Sequence, residues 1–143
     1  MIYTPLTKKA LCLCFEAHKE QTDKSGLPYV HHPLHLAEQM TDEVTTVVAL
    51  LHDVVEDTPL TLADLEQAGF PQDVLDAIAL MTHDDGADYM DYVARIKQNP
   101  IARTVKLADL THNSDVTRLD VVTDKDWARV KKYQAAKELL LQD

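Results

Sequence analysis

Between Thr7 and His18 the apolar side chains Ala10, Leu11, Cys14 and Phe15 recur three and four positions apart, with Ala17 beyond them. That is the period of one face of an α-helix. The pattern stops near Asp23-Lys24-Ser25-Gly26, and a loop runs through Leu27-Pro28-Tyr29-Val30. Pro33 then opens a short helix, since proline fits a first helical turn, where its missing N–H has no partner anyway; this puts His32 at the N-cap. From Glu43 to Val55 the positions Val44, Val47, Val48, Leu51 and Val55 predict a core helix, apolar nearly all round until its last turn, His52 to Asp57. Thr58-Pro59 ends it. Thr61 and Asp64 predict a capping-box start for the next helix, with Gly69 as its stop, and Pro71 begins another through about Thr82. A polar stretch from His83 to Asp88 precedes a helix over Tyr89–Gln98, and Asn99-Pro100 marks the next boundary. Helical periodicity resumes at Ile101, Val105 and Ala108 and runs to about Leu119, after which Asp124 caps a final helix through Leu141. The expected fold is all-α, a bundle of about eight helices with no strand.

Length and charge narrow this picture. The chain has 143 residues, 14 basic against 24 acidic, for a formal charge of −10. One domain over residues 1–143 is expected, and a chain of this size buries enough surface to need no staple, so any metal serves chemistry. The acidic balance excludes a basic footprint, so neither nucleic acid nor a membrane surface is an expected partner. The longest aliphatic run, Val47 to Leu51, falls far short of the roughly 20 apolar residues of a spanning helix. The N-terminus lacks the order of a secretory signal, which gives an expected cytoplasmic location. Cys12 and Cys14, two apart on a helix, face nearly opposite ways and are read as ordinary thiols. In the tail helix Trp127, Val130, Tyr133 and Leu139-Leu140-Leu141 are read as core packing, with a homodimer contact as the alternative.

The chemistry-bearing residues lie at helix ends or inside apolar helices: His32, the pair His52-Asp53, and Asp109. Two imidazoles and two carboxylates suit a hard or borderline divalent ion such as manganese, iron or zinc, with open positions for water and substrate. A buried aliphatic stem delivers His52 and Asp53, and burying them without partners would cost several kcal/mol. Glu56 and Asp57 stand four residues after His52 and Asp53 and so lie over the same faces. Four ionisable groups within two turns repel unless a cation is present, and at a helix C-terminus their negative charge is further disfavoured. Glu56 and Asp57 are candidates for acid/base work on a metal-activated water. Asp109 and Asn113 share a helical face, which places an amide donor beside a ligating carboxylate. His18, His31 and His35 are read as surface or supporting histidines rather than ligands, and His83 and His112 as weak candidates for a second metal.

The segments Ala17-His18, Gln21, Lys24-Ser25-Gly26-Leu27-Pro28-Tyr29 and His32-Pro33, then Leu50 to Thr58, then Val105 to Leu110 with Asn113, resemble the HD-domain hydrolases of the RelA/SpoT type over roughly residues 10 to 120. The resemblance is strongest to short single-domain members, the small alarmone hydrolase-like proteins, similar in turn to the animal protein called Mesh one. It implies an all-helical HD fold and one manganese ion held by His32, His52, Asp53 and Asp109. It further implies water activation by Glu56 and Asp57 and a substrate contact from Asn113. The implied reaction is hydrolysis of the 3′-diphosphate of guanosine tetra- or pentaphosphate, (p)ppGpp, with release of pyrophosphate. Lys24 is placed to hold a phosphate or to pack on the base, and Lys106 is either a substrate contact or salt-bridged to the acidic cluster.

The chain departs from this family where Arg-Lys is common and Asp23-Lys24 stands here, and where a basic residue often follows the asparagine and Asp115 stands here, with Arg118 a turn later. An arginine can stack on a base, whereas a carboxylate repels phosphate. Two alternatives therefore stay open: phosphohydrolysis of another nucleotide, such as removal of the 2′-phosphate of NADPH, and a non-catalytic nucleotide sensor. The intact Glu56-Asp57 pair favours an enzyme.

Overall fold

The computed structural model describes all residues 1–143. Its helices are α1 (Pro5–His18), α2 (His31–Glu38), α3 (Glu43–Leu51), α4 (Val54–Asp57), α5 (Leu62–Gln67), α6 (Gln72–Met81), α7 (Tyr89–Lys97), α8 (Pro100–Asn113) and α9 (Asp124–Leu141), with a 3₁₀ turn at Val116–Arg118. The fold is all-α, as the apolar periodicity predicts; α3 and α4 form one interrupted rod, so eight rods make the bundle. The β-pairing consists of an isolated antiparallel bridge between Thr22 and Pro28 that closes the loop after α1. No helix is long and apolar enough to cross a membrane.

α3 is the centre of the bundle. Every residue from Thr45 to Leu51 is buried, and α1, α2, α6 and α8 pack around it. A helix apolar on all sides has no solvent face to offer and is stable only inside such a ring. On the far side α7 and α8 pack against α9, which buries Ala136 and Leu140. The tail helix thus packs on the core through Ala136 and Leu140, whereas Trp127 and Leu141, expected in the core, are exposed. Cys14 is buried and Cys12 exposed, opposite faces of α1.

Local signals explain the helix starts. Thr4, Thr61 and Thr123 each accept from a backbone N–H three residues on and donate their own backbone N–H to that residue's side chain. Asp42 caps α3, and Asn99 caps α8 ahead of Pro100. Gly69 ends the α5 segment at φ +97°, a conformation that a side chain strongly disfavours.

Four boundaries differ from expectation. His32 is not an N-cap but lies inside α2, which starts at His31, because the turn Pro28–His32 already has helical hydrogen bonds. The rod predicted over Glu43–Val55 breaks at His52 and Asp53. α8 stops at Asn113, where Ser114 and Asp115 divert the chain into the 3₁₀ turn rather than continuing to Leu119. Thr123, not Asp124, caps α9, since its hydroxyl reaches the Asp126 N–H.

Candidate metal centre

The break in the central rod positions the site. α3 carries His52 into the core, and Asp53 follows as the N-cap of α4, so Glu56 and Asp57 occupy the single turn that Asp53 opens. The argument that these acids load a helix C-terminus therefore does not apply: they belong to a new helix start. α2 supplies His32 and α8 supplies Asp109, both buried.

Four ligand-type atoms form a closed quadrilateral. Nε2 of His32 lies 2.9 Å from Oδ1 of Asp109 and 3.8 Å from Oδ2 of Asp53. Nε2 of His52 lies 3.0 Å from Oδ2 of Asp53 and 3.6 Å from Oδ1 of Asp109. Donors bound at about 2.0–2.2 Å to one divalent ion sit roughly 3 Å from their neighbours, so the spacing fits. The tautomers fit as well. His52 Nδ1 donates to the Ala49 carbonyl at 2.6 Å, which leaves the neutral ring's lone pair on Nε2. That Nε2 is buried and, despite its nearness to Asp53, makes no hydrogen bond of acceptable geometry. A buried Nε2 with no hydrogen-bond partner, facing two carboxylates, suits a ligand once an ion displaces the proton that those carboxylates favour there in its absence.

Each ligand is held from behind. His32 Nδ1 is 2.6 Å from His112 Nδ1, Lys106 donates to Asp109 Oδ2 at 2.9 Å, and Asn113 donates to Asp109 Oδ1 at 3.0 Å. Tyr29 donates its hydroxyl to Asp53 Oδ2, and more distantly, at 3.3 Å, to Asp57. Such partners fix orientation and basicity. Burial, with His32 and Arg118 beside it, pushes the His112 imidazole down to about 3, so it is neutral and able to accept. Burial opposes charge on Asp53, yet His52 beside it brings the carboxyl to about 2. Burial likewise opposes charge on Asp109, but Lys106, His32 and His52 hold it well below the carboxylate range. Without an ion His52 is driven upward, since Asp53 and Asp109 outweigh its desolvation.

A second set, Asp53, Glu56 and Asp57, lies alongside at the solvent edge. Burial and the nearby carboxylates raise Glu56, although its Oε1 accepts the His83 N–H at 2.8 Å. Burial and Asp53 raise Asp57 too.

A cavity of about 350 Å³ opens beside His32. The loop after α1, the 3₁₀ turn and α9 wall it, and Lys24, Tyr29, Asn113, Arg118, Arg129 and Tyr133 contribute side chains. Asp23 does not face it as a free charge. Its Oδ1 accepts from Ser25 N, Ser25 Oγ and Leu27 N, and its Oδ2 pairs with Arg118 at 3.4 Å. Lys106 is absent from the cavity wall: its ammonium is taken by Asp109 and lies 5.3 Å from the Tyr92 ring centre.

The sequence motif contains His18, Gln21 and Tyr29, and His112 is a weak candidate for a second metal, but residue types and spacing assign none of the four its place at this site. His18 is buried, binds Gln21 through Nδ1 at 2.8 Å, and Gln21 in turn donates to the Asp57 carbonyl at 2.9 Å. Only the position of His112, three residues after Asp109, hinted at its place.

The family model described as HD domain matches residues 10–99. The chain belongs to the HD-domain family. Among its relatives is the bifunctional (p)ppGpp synthase/hydrolase SpoT of Escherichia coli, 35% identical over 121 residues, 74% of this chain and 17% of that protein. A probable GTP pyrophosphokinase of Mycobacterium leprae is 32% identical over 126 residues, 79% of this chain and 16% of that one. This HD-domain chain thus spans about a sixth of the length of these curated relatives. Its fold matches a solved structure described as a metazoan ortholog of SpoT that hydrolyzes ppGpp, with a TM-score of 0.77 over 99% of this chain and 88% of that one, at 24% identity.

Proposed function

We propose that residues 1–143 form a manganese-dependent phosphohydrolase that cleaves the 3′-diphosphate of (p)ppGpp and releases pyrophosphate. The observation that carries this reading is the quadrilateral of His32, His52, Asp53 and Asp109 beside a cavity walled in part by Lys24, Arg118 and Arg129. Kinship with proteins named as (p)ppGpp hydrolases supports the substrate. Two carboxylates in the ligand set favour a hard ion, manganese among them. A divalent ion held there would polarise water and offset charge on the phosphoryl oxygens.

The side chains supply the rest. Water adds to the phosphorus attached to the 3′-oxygen, that P–O bond breaks, and the nucleotide leaves with a 3′-hydroxyl. Glu56 and Asp57, both raised above their ordinary range, are suited to take the water's proton and return one to the leaving oxygen. Asn113 lines the cavity and offers an amide to the substrate while bracing Asp109. Lys24 and Arg129 face the cavity as cations for a diphosphate, and Tyr133 provides a surface on which a base can lie. Lys106, whose ammonium pairs with Asp109, acts in this reading as the brace of that carboxylate rather than as a substrate contact.

The test is release of pyrophosphate or orthophosphate from guanosine tetraphosphate and NADPH, with manganese and with chelator. Manganese-dependent pyrophosphate from the first is the expected result. Orthophosphate from NADPH alone would transfer the specificity to a 2′-phosphate, and no product from manganese-loaded protein would favour a sensor of nucleotide.

A further inference from the structure

Two residues of the sequence motif, His18 and Gln21, belong neither to the quadrilateral nor to the cavity wall. His18 ends α1 and is buried, yet its imidazole keeps a single hydrogen bond, between Nδ1 and Gln21 Oε1 at 2.8 Å, and its Nε2 has no partner. A buried imidazole with half its polar capacity unmet costs free energy that a leucine in the same place would not. That cost is set against one interaction, the bond to Gln21.

Gln21 ties the end of α1 to two parts of the site. Its Nε2 donates to the Asp57 carbonyl at 2.9 Å, and its own carbonyl accepts the Tyr29 N–H at 2.8 Å. The Tyr29 hydroxyl donates to Asp53 and lies 3.3 Å from Asp57 Oδ2. Gln21, Tyr29 and Asp57 thus form a closed circuit that grips Asp57 by its backbone and by its carboxylate. The direction of the bonds is forced. A carbonyl only accepts, so the Gln21 atom facing Asp57 is the amide nitrogen; the atom facing His18 is then the amide oxygen, and His18 must present an N–H from Nδ1. An apolar residue at position 18 would leave the amide free to turn its oxygen against the Asp57 carbonyl.

The turn that carries Asp57 needs such a grip. α4 is held internally by the Asp57 N–H on the Asp53 carbonyl at 2.9 Å, followed by the Thr58 N–H on the Val54 carbonyl at 3.2 Å. So short a helix is not stable alone, because ordering a first turn costs more than its bonds return. Asp57 closes it, so the Asp57 carbonyl has no partner within the helix, and Gln21 supplies one.

We infer that His18 and Gln21 are positioning residues for the acidic turn: His18 fixes the amide of Gln21, and Gln21 fixes Asp57 so that its carboxylate stays beside those of Asp53 and Glu56. The effect on rate rests on the proposed acid/base role of Asp57, whereas the clamp itself does not.

The test uses the full chain with manganese and guanosine tetraphosphate. Gln21→Met keeps the length of the side chain and loses both of its bonds, and Gln21→Glu keeps the acceptor for His18 but not the donor to Asp57. His18→Leu fills the space without a donor, and His18→Asn underfills it but returns an amide donor near Nδ1. Both Gln21 variants and His18→Leu should lower kcat about tenfold with KM and bound manganese little changed, while His18→Asn keeps most of kcat. A packing role would reverse the order at position 18, since asparagine leaves the larger void, so Asn no better than Leu overturns the role of His18. In an Asp57→Asn background Gln21→Met should add no further loss, and additive losses overturn the route through Asp57. Hydrogen exchange at the Asp57 and Thr58 amides, followed by NMR, should quicken roughly fivefold in Gln21→Met, the scale of one lost hydrogen bond, while the amides of Val47 to Leu51 keep their rates. Unchanged exchange overturns the clamp. If Asp57→Asn alone keeps wild-type kcat, or the nucleotide is not turned over, the proposed function fails at that point and the exchange rates still judge the clamp.

Discussion

The inner end of the site and the wall of its cavity are built in different ways. At the inner end His32, His52 and Asp109 are buried, come from helices that surround or continue the central rod, and each rests on a partner: His112, the Ala49 carbonyl, Lys106. The wall is a loop, a 3₁₀ turn and one face of α9, with Lys24 and Asn113 exposed to solvent. Where packing fixes the donors, the ion and the reaction are fixed; where short connections carry the contacts, substrate choice can change without disturbing the core. A change at the inner end should therefore abolish function, and one on the wall should only retune it.

The largest effect should come from His52→Ala or Asp109→Ala. Either removes one corner of the quadrilateral and leaves buried charge unpaired, so bound manganese and turnover should vanish together. Metal analysis beside a product assay checks this. Stoichiometric manganese in both variants would show that the corners are not ligands.

Glu56→Gln combined with Asp57→Asn separates chemistry from metal. Neither residue belongs to the quadrilateral, and both amides keep the shape of the turn that Asp53 opens. Manganese should stay bound while kcat falls by about 10²-fold or more, the scale of a lost acid/base group. Near wild-type turnover would make the pair structural.

This contrast also explains what the sequence revealed. The apolar run Val47 to Leu51 announces a buried helix, and a polar His52-Asp53 at its end has no reason to be there unless it has partners, so the inner end was legible. The break after Leu51 was not. It falls at Asp53, whose backbone departs from the rod at φ −102° and ψ −2° while its carboxylate turns to His52 and Tyr29, and local periodicity is the same for a continuous helix and an interrupted one. Tyr29, His112 and the Asp23–Arg118 pair were hidden for another reason: their partners lie 24, 80 and 95 residues away. Long-range pairing leaves no periodic trace in the chain.

The titration of the inner end gives a sign that can be measured. Without an ion, Asp53 and Asp109 raise His52 well above its ordinary range, whereas a ligand must be neutral. Manganese must therefore displace a proton from His52 at any pH below that raised value. Affinity should climb by up to tenfold per pH unit through neutrality, with proton release seen as a buffer-dependent heat in calorimetry. The carboxylates add little to this slope, since Asp53 at about 2 is already ionised. The same shift acts on folding of the metal-free chain. A group raised in the folded state stabilises fully below its unfolded value and loses that contribution as pH rises through the folded one. Metal-free protein should therefore melt at lower temperature on the alkaline side, while manganese-loaded protein should not.

Tyr29→Phe probes the seam between the two regions, because Tyr29 lines the cavity and yet donates to Asp53. Losing one orienting hydrogen bond behind a ligand costs roughly 10–100-fold in metal affinity. About tenfold is expected here, since Asp53 retains its contact with His52. The manganese dependence of the rate is the readout, and an unchanged dependence would place Tyr29 wholly on the cavity side.

The smallest effect belongs to the wall itself. Asp23 organises the loop with one oxygen and holds Arg118 with the other, and Arg118 also donates to the His112 carbonyl at 3.0 Å. Asp23→Asn keeps an oxygen for the loop while removing the ion pair, so it separates the two roles. Released from Asp23, the Arg118 guanidinium can turn toward a phosphate in the cavity. KM for a polyphosphorylated nucleotide should fall a few-fold with kcat unchanged, the signature of binding shared by ground and transition states. Arg118→Gln should raise KM, and the double variant should behave as Arg118→Gln alone, because Asp23→Asn keeps the loop contacts and so acts only through the arginine. If Asp23→Asn instead lowers kcat at constant KM, the pair positions His112 through its carbonyl, and the wall and the inner end are one mechanical unit.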